Sequence, residues 1–472
     1  MPVRTRRDNP SRRRPAAAAP GLVESFEKRI LFAIDVTIGT GSPSQTLLFT
    51  DDDGTSAQIR VSGGTATITF DGNPVSQTTS GRLTTVSGTG VTMTNMVLAG
   101  ASPNVSVRAA GGTDNEVTLA ALSSPLSAVR AFSGRAVVLR GPLTFANGVG
   151  RLELAGAQDS VITINRGQQA LLQDASVTIL DVDDSSITSQ QPLRQLRVGE
   201  WEAGTPGTPD FVTAPRINVL QCLRGFNANV NLSGNGQAVG APVLGNVKVL
   251  GGIESGTWNV AGKTSRIATG VVDPGWSGTF GDVANFTVAG NMGGSITANS
   301  INAMNVGTLG NANIDLTRPF AAGAVALNRL NVRGAMTGTR VRSDASIGTV
   351  SAESISGSSI FAGVANGGGG GAARNLPDNA TSFVNAATIK GVTVRSRGTP
   401  SFVGSNIVAS SLGRLNLGTV QTNNGGTPYG VAANDIASIQ GQRSDTGESA
   451  RAVRLTDPSD NIVAGDFQAR VF

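Results

Sequence analysis

An apolar spacing of three and then two residues recurs through most of the chain and constrains its fold more than any other feature. In the segment 282–309 it occurs twice, at Val283/Phe286/Val288 and at Ile301/Met304/Val306. Other segments repeat it: Val149/Leu152/Leu154, Leu193/Leu196/Val198, Leu244/Val247/Val249, Leu327/Leu330/Val332, Ile389/Val392/Val394, Leu412/Leu415/Leu417 and, more weakly, Ile347/Val350/Ala352. Successive starts at 283, 301, 327 and 347 differ by 18, 26 and 20 residues. A period near twenty indicates stacked repeats.

Within each repeat, apolar and small polar residues alternate over four to six positions, which predicts short strands and turns rather than helices. One repeat is too short to bury its own apolar face, so neighbouring repeats must supply a continuous core. We therefore expect an all-β chain, a parallel β-helix solenoid. Its irregular repeat length favours the right-handed form. The three-residue step indicates a bend, and three pairs are expected to supply positive φ angles: Gly290-Asn291, Gly293-Gly294 and Gly310-Asn311.

The net charge of +5 comes from the N-terminal arm. Residues 1–33 contain eight basic and three acidic residues (8 − 3 = +5), which leaves 37 − 8 = 29 basic and 32 − 3 = 29 acidic residues in the remainder. A neutral body argues against nucleic-acid binding, which needs a basic stripe on the folded domain. No run approaches the roughly 20 apolar residues of a transmembrane helix. The 62 glycines and the aromatic content of 4% suit thin repeats with tight corners.

The pattern divides the chain into four segments. Residues 1–33 are expected to form a disordered basic leader and an amphipathic segment, and residues 34–140 an irregular β region at the N-terminal part of the solenoid. Residues 141–440 are expected to form the parallel β-helix, and residues 441–472, which are richer in charge and less periodic, a C-terminal cap. Interruptions at 203–209 and 366–377 are expected to protrude as loops.

The segment 21–32 has an amphipathic helical pattern. Val23, Phe26 and Ile30 share one helical face, and Glu24 pairs with Lys28 four residues later. We expect a short helix that caps the first repeat.

A short motif overlaps this helix and follows the Arg-rich leader: Val23, Glu24, Phe26, Glu27, Arg29, Leu31 and Phe32. It resembles the Val-Glu-x-Leu-Glu-x-Arg-x-Leu-Leu motif of planctomycete extracellular and surface proteins, with phenylalanine in place of two leucines. Residues 49–54 resemble a Phe-Thr-Asp-x-Asp-Gly element of the same class. In that family the N-terminal motif accompanies export, so the resemblance implies a secreted or cell-surface protein and no particular chemistry.

Two carboxylates, Asp51 and Asp53, lie beside Gly54 in a segment that predicts a hairpin turn. Closely spaced carboxylates on a turn can ligate Ca²⁺, which needs six to eight oxygens. Two carboxylates without a distal glutamate also suit a solvated turn. Calcium is thus a candidate cofactor, and the sequence indicates no other.

A second polar group combines Asp181, Asp183 and Asp184 with Arg194 and Arg197, about one repeat later. Polysaccharide lyases and hydrolases with a β-helix fold use paired carboxylates, or Ca²⁺ with a basic residue. Asp181 and Asp183 are expected to share one side of a strand, with an arginine stacked beneath them. The alternative is a polar turn in which the arginines pair with the acids.

The chain has no histidine, which excludes imidazole-dependent acid–base catalysis. The lone Cys222 is therefore expected to be a buried core residue rather than a nucleophile. We expect a non-enzymatic surface or secreted β-solenoid with a structural, adhesive or glycan-contacting role and an extracellular polysaccharide as partner. The alternative is a β-helix polysaccharide lyase or glycoside hydrolase.

Overall fold

The computed structural model describes residues 33–39, 44–167, 174–202, 204, 210–365, 375–396 and 399–472. These residues form an all-β protein whose strands belong to one continuous sheet. No helix of seven or more residues occurs among them, and short 3-10 turns occupy Ala380–Ser382 and Pro458–Asp460. The helix expected at 21–32 lies outside the described residues.

The strands of the N-terminal region are β1 (Ile34–Ile38), β2 (Gln45–Thr50), β3 (Thr55–Ser62), β4 (Thr65–Asp71), β5 (Ser76–Ser80), β6 (Leu83–Ser87), β7 (Thr92–Ala99) and β8 (Asn104–Gly111). The next strands are β9 (Val117–Leu119), β10 (Leu122–Ser124), β11 (Val129–Leu139), β12 (Pro142–Phe145), β13 (Val149–Gln158), β14 (Val161–Ile164), β15 (Ala175–Asp183), β16 (Ser186–Ser189), β17 (Leu193–Trp201), β18 (Phe211–Ala214), β19 (Ile217–Cys222), β20 (Asn229–Leu232), β21 (Pro242–Ile253), β22 (Thr257–Val260), β23 (Lys263–Val272), β24 (Ser277–Met292), β25 (Ser295–Gly310) and β26 (Asn313–Leu316). The remaining strands are β27 (Val325–Val332), β28 (Ala335–Thr337), β29 (Arg340–Ser343), β30 (Ser346–Ala352), β31 (Ser354–Ser356), β32 (Ser359–Ala362), β33 (Thr388–Val394), β34 (Phe402–Val403), β35 (Asn406–Ala409), β36 (Ser411–Val420), β37 (Tyr429–Ala433), β38 (Asp435–Arg443), β39 (Ser449–Leu455), β40 (Ile462–Ala464) and β41 (Phe467–Val471).

The first eight strands pair mainly antiparallel. β1 pairs with β4 and β4 with β7, while β2 pairs with β3 and β3 with β8. The predicted hairpin at Asp53-Gly54 is confirmed, because Gly54 has a φ of 93° in the turn between β2 and β3. Glycine tolerates this left-handed conformation without a steric penalty.

From β10 onward the strands form three parallel ladders. Ladder A contains β10, β12, β14, β16, β18, β20 and β22, the starts of β24 and β25, and then β26, β29, β32, β35 and β37. Ladder B runs through β11, β13, β15, β17, β19, β21, β23, β24, β25, β27, β30, β33, β36 and β38. Ladder C joins β9, the ends of the long strands, β28, β31 and β34.

The chain passes through ladders A, B and C in the same order in each repeat. In β24, for example, residues 277–280 belong to ladder A, 283–288 to ladder B and 291–292 to ladder C. Apolar side chains from all three ladders form one core cluster that extends from Val36 to Val471. Parallel strands from successive passes of the chain therefore pair with one another and share this core.

The three-then-two spacing sets the register of ladder B. Phe286 pairs with Met304, Met304 with Leu330, and Leu330 with Val350, so each core residue stacks on its equivalent in the next repeat. The predicted equivalence of the repeats is therefore confirmed. Cys222 occupies the same kind of position, fully buried and in register with Val249.

The glycines at the junction of ladders B and C have a different role from the one expected. Among the three predicted pairs, positive φ occurs only at Asn311, with φ 57°. The expectation is wrong for the other five residues, none of which has a positive φ. A Cβ on Gly294 would lie 2.7 Å from the carbonyl oxygen of Trp276 in a neighbouring repeat, so close approach between repeats explains the glycine at that position.

Of the two interruptions expected to protrude, the one at 366–377 instead packs, in its described part, against the outer side of ladder A. Leu376 is buried in a small apolar cluster with Phe361 and Val408, and Phe383 packs against it. Arg470 Nη1 donates to the carbonyl oxygen of Pro377 at 2.7 Å. The apolar outward residues of these strands explain why the segment folds back over them. Residues 366–374 and most of 203–209 lie outside the described residues.

Candidate functional site

Asp181 and Asp183 lie on the outward side of ladder C in β15. Asp181 is exposed, Asp183 is half-buried, and Val182 between them faces the core. The two carboxylates therefore share one side of the strand, as their spacing predicts. Burial and the neighbouring charges of Asp184 and Asp159 raise the pKa of Asp183. Asp184 has a φ of 45° directly after the strand, a conformation that aspartate tolerates better than most residues.

Arg194 and Arg197 lie on ladder B, away from these aspartates. Arg194 Nη2 donates to Ser176 Oγ at 2.9 Å, and Arg197 Nε donates to Gln221 Oε1 at 3.0 Å. The expectation that an arginine lies beneath the aspartates is therefore wrong, and so is the alternative that the arginines pair with them. The physical reason is the bend between the ladders, which turns residues before and after it toward different sides.

The residues that stack on the aspartates are themselves acidic. Asp181 pairs in register with Glu200, and Glu202 follows on the same side of ladder C. The same side continues to Glu254 and Asp273 in later repeats. We call this outward side of ladder C, from residue 181 to residue 273, face C.

Face C holds rows of like-charged carboxylates. Neighbouring carboxylates along a row are separated by one strand spacing of about 4.8 Å, and the two carboxyl groups of a retaining glycosidase lie about 5 Å apart on either side of the scissile bond. The basic group beside them, Arg224, forms an ion pair of 2.7 Å with Glu200. Within the described part of the chain, no three His, Cys, Asp or Glu side chains are placed to hold a metal ion together.

The Asp51 and Asp53 carboxylates accept hydrogen bonds from their own chain. Asp51 Oδ1 accepts from the Thr55 backbone N–H at 3.0 Å, and Asp53 Oδ1 accepts from the same N–H at 2.8 Å. Asp53 Oδ2 accepts from the Thr113 hydroxyl at 2.6 Å and from its N–H at 3.0 Å. These bonds tie the β2–β3 turn to the loop after β8, which favours the interpretation as a polar turn over a calcium site.

Burial raises the pKa of Asp51 to about 7, with a further contribution from its hydrogen bond to Asp53 and from the Asp53 charge. Hydrogen bonds to Asp51, Thr113 and Thr55 hold the pKa of Asp53 far below its usual range. The two carboxyl groups thus have opposite protonation preferences near neutral pH.

Cys222 is a core residue. Burial raises the pKa of the Cys222 thiol, and the side chain is fully enclosed, as expected for a core residue. The sorting-like motif at Val23, Glu24, Phe26, Glu27, Arg29, Leu31 and Phe32 lies outside the described residues.

Ladder A presents a long uncharged surface, lined mainly by hydroxyl and amide side chains, that sequence analysis did not locate. Its outward residues form two columns, and the first consists of Thr144, Thr163, Thr188, Thr213, Asn231, Asn259, Thr279 and Thr297. The second consists of Pro142, Val161, Ser186, Phe211, Asn229, Thr257, Ser277, Ser295 and Asn313. We call this surface face A. Neighbouring groups lie about 4.8 Å apart along a column and about 7 Å apart between columns.

Face A left a signal in the sequence that a search for apolar residues overlooks. In the ladder A segments from β12 to β25 a Thr or Asn directly precedes the last buried residue, as in Thr163-Ile164 and Thr297-Ala298. Aligning the strands of ladder A by their apolar residues would have revealed the column.

No family model matches the chain, and the comparisons with curated proteins and with solved structures found no match. Among the described residues, no helix has both the length and the apolarity of a membrane span.

Proposed function

We propose that the chain is a right-handed parallel β-helix exported to the bacterial surface or exterior, where it contacts glycans without cleaving them. The recurring order of ladders A, B and C supports the solenoid, and the irregular repeat length favours the right-handed form. Export rests on the resemblance of residues 21–32 to a planctomycete sorting motif.

The observation that carries the glycan role is face A. From β12 to β26 its outward positions hold no charged residue before Asp315. A threonine hydroxyl donates one hydrogen bond and accepts two, and an asparagine amide donates two and accepts two, which suits the hydroxyl groups of a neutral sugar chain. Asn231, Asn259, Thr279 and Thr297 are exposed to solvent.

Regular spacing makes face A suited to an extended ligand. Each hydroxyl or amide contact contributes little by itself, since net hydrogen-bond energies are about 1 kcal/mol. A linear glycan that lies across several strands makes many such contacts at once, because after the first contact the others form at a high effective concentration. The flat row of groups favours a polymer over a small sugar, which requires a concave pocket.

The chain has no histidine, and Arg224, the basic group beside the acids of face C, is already paired with Glu200, which supports a non-catalytic role. The alternative of a lyase or hydrolase is tested in the same assay. The purified full-length chain is incubated with neutral and acidic polysaccharides in the presence of Ca²⁺, and both retention and new chain ends are measured. We expect retention without cleavage. New chain ends that disappear in the double variant Asp181→Asn/Asp183→Asn would support the enzyme instead.

A matched pair of variants localises the binding. Asn259→Ala/Thr279→Ala/Thr297→Ala alters face A, and Asn104→Ala/Thr78→Ala/Thr118→Ala removes the same residue types from exposed positions outside ladders A and B. We expect the face A variant to lose retention of neutral glycan and the control to keep it. Equal loss in both variants contradicts the assignment to face A, and intact protein confined to the cytoplasm of the producing cell contradicts export.

A further inference from the structure

The outward positions of ladder B carry an excess of positive charge. We call these positions, between the core residues of each strand from 150 to 440, face B. Face B contains one acidic residue, Glu153, and eight exposed basic residues: Arg151, Arg194, Arg197, Lys248, Arg266, Arg329, Lys390 and Arg414.

Glu153 does not offset this charge. Its side chain is largely buried and accepts hydrogen bonds from Ser133 Oγ at 2.5 Å and from Arg135 Nη2 at 2.9 Å, while Arg151 Nε lies 4.0 Å away. Burial opposes ionisation of Glu153, but these partners hold its pKa below the usual range. Glu153 is thus an anion already enclosed by two arginines.

The balancing acidic residues lie on a different side of the molecule. Face C holds Asp181, Asp183, Glu200, Glu202, Glu254 and Asp273. The body has no net charge, yet it carries two surfaces of opposite charge, one on each side of the bend between ladders B and C. The inference from net charge that the body lacks a basic stripe is wrong, since net charge contains no information on the separation of charges.

The cations of face B are available for a ligand. Lys248, Arg266, Lys390 and Arg414 form no ion pair or side-chain hydrogen bond among the described residues. The others that bond do so mainly with neutral groups: Arg194 with Ser176, Arg197 with Gln221 and Arg329 with Asn305. A neutral partner orients a guanidinium without cancelling its charge.

Face B is long and narrow. From Arg151 in β13 to Arg414 in β36 the ladder crosses twelve consecutive strands, which at about 4.8 Å per strand is a length of about 50 Å. Between the cations stands a column of neutral hydrogen-bonding residues: Thr287, Asn305, Asn331, Ser351, Thr393, Asn416 and Gln440.

We propose that face B binds a linear acidic polysaccharide, which lies along the stack with its carboxylates at the Arg and Lys side chains and its hydroxyls at the Asn, Ser and Thr column. Extended charge along one axis matches an extended polyanion, and attraction between complementary surfaces raises the rate of association and fixes register. The neutral column supplies partners for the sugar hydroxyls that lie between successive carboxylates.

Two other occupants fit less well. Single-stranded nucleic acid needs aromatic side chains on which bases stack, and the outward positions that define face B hold none. The acidic face C of a second copy covers five consecutive strand levels, or about 20 Å, and leaves more than half of face B without a partner. The polysaccharide accounts for the full length.

The test measures binding of the full-length chain to polygalacturonate and to its fully methyl-esterified form, which keeps the sugar backbone and removes the charge. The stripe variant is Lys248→Glu/Arg266→Glu/Arg414→Glu. The control variant, Arg82→Glu/Arg140→Glu/Arg318→Glu, changes net charge equally at exposed residues outside face B. Both variants keep the basic N-terminal arm.

We expect the wild type to bind polygalacturonate at low salt, the methyl ester to bind at least about tenfold more weakly, and only the stripe variant to lose a similar factor. Binding should also weaken as ionic strength rises. Lack of binding, equal affinity for the ester, or equal losses in both variants would overturn the proposal. So would salt-sensitive oligomers of the wild type, seen by sedimentation without polysaccharide, that the stripe variant abolishes.

This inference goes beyond the proposed function, which concerns neutral glycan on face A. The face A variant and the stripe variant alter different ladders, so one surface can fail its test while the other passes. Failure of the polygalacturonate arm alone overturns the inference, and failure of the neutral-glycan arm alone overturns the proposed function.

Discussion

The antiparallel strands of residues 34–111 and the parallel ladders that follow them use one sheet in two ways. In the antiparallel region, tight turns such as Asp53-Gly54 set which residues pair. In the ladders, register follows from stacking of equivalent core residues that are about twenty positions apart in the chain. The first kind of order is local in sequence, and the second is visible only through repetition.

The difference between parallel and antiparallel pairing also explains how the strands are arranged at the two ends of the ladders. A stack of parallel strands presents unpaired backbone groups at its first and last repeat, which is a risk for aggregation. At the C-terminal end the pairing becomes antiparallel again, because β39 pairs with β38 and β40 pairs with β41. Antiparallel strand pairs thus lie at both ends of the ladders, although the sequences that form them do not follow the repeated apolar spacing.

This comparison predicts that a destabilising substitution within the ladders lowers the stability of the neighbouring repeats more than that of the antiparallel region. Trp258 is fully buried, with ring centroids 5.7 Å from Phe226 and 5.8 Å from Trp276. Trp258→Ala should lower the free energy of unfolding by about 3–5 kcal/mol, through lost burial and a residual cavity. Hydrogen exchange should show the largest loss of protection in β20, β22 and β24.

Trp258→Phe is the control for this prediction, since it keeps an aromatic ring between the same neighbours and should cost less. Equal loss of protection in β1 to β8 would show that the two regions open as a single cooperative unit. That result would remove the distinction between local and repeated order as far as stability is concerned.

A smaller effect is expected where two repeats approach most closely. A Cβ on Gly270 would overlap the carbonyl oxygen of Gly251 in the preceding repeat, and that oxygen belongs to the backbone. Gly270→Ala should therefore destabilise by about 1–3 kcal/mol, as overpacking does in a tight core. Thermal unfolding of Gly270→Ala and of the wild type measures this loss of stability.

Gly275→Ala is the matched control. The nearest atom to its Cβ is the carbonyl oxygen of Glu254 at 3.9 Å, and Gly275 has no positive φ. We expect a melting temperature close to that of the wild type. If Gly270→Ala is equally harmless, the repeats are able to move apart, and close stacking is not what selects glycine at this junction.

These residues mark how far the sequence predicts the structure. Phe286 and Met304 pair as their spacing predicts, because a buried position tolerates few residue types and therefore repeats visibly. Exposed positions tolerate many residue types, so the cations of face B do not recur strictly enough to be seen, and the threonine column of face A shows only when the ladder A strands are aligned by their apolar residues. The placement of Arg194 near Asp181 was wrong, since distance along the chain does not show on which side of a bend a residue lies.

The smallest expected effect concerns pH and is confined to the antiparallel region. Asp51 has a pKa raised to about 7, so its protonated form is favoured in the folded turn. The resulting stability is fully present below its ordinary value of 3.8 and is lost as the pH rises through 7. Asp53, whose pKa is lowered, remains ionised throughout and adds no change between pH 5 and pH 8.

Hydrogen exchange at the Thr55 and Thr113 amides, corrected for the intrinsic rate, should therefore show more protection at pH 5 than at pH 8, while the ladder amides stay unchanged. Asp51→Asn, which cannot ionise, should remove this dependence. A dependence that persists in Asp51→Asn would assign it to another carboxyl group nearby, such as Glu116, whose pKa burial also raises. A matching change in the ladders would mean that the turn is coupled to the stacked repeats, and that the antiparallel region helps to hold their register.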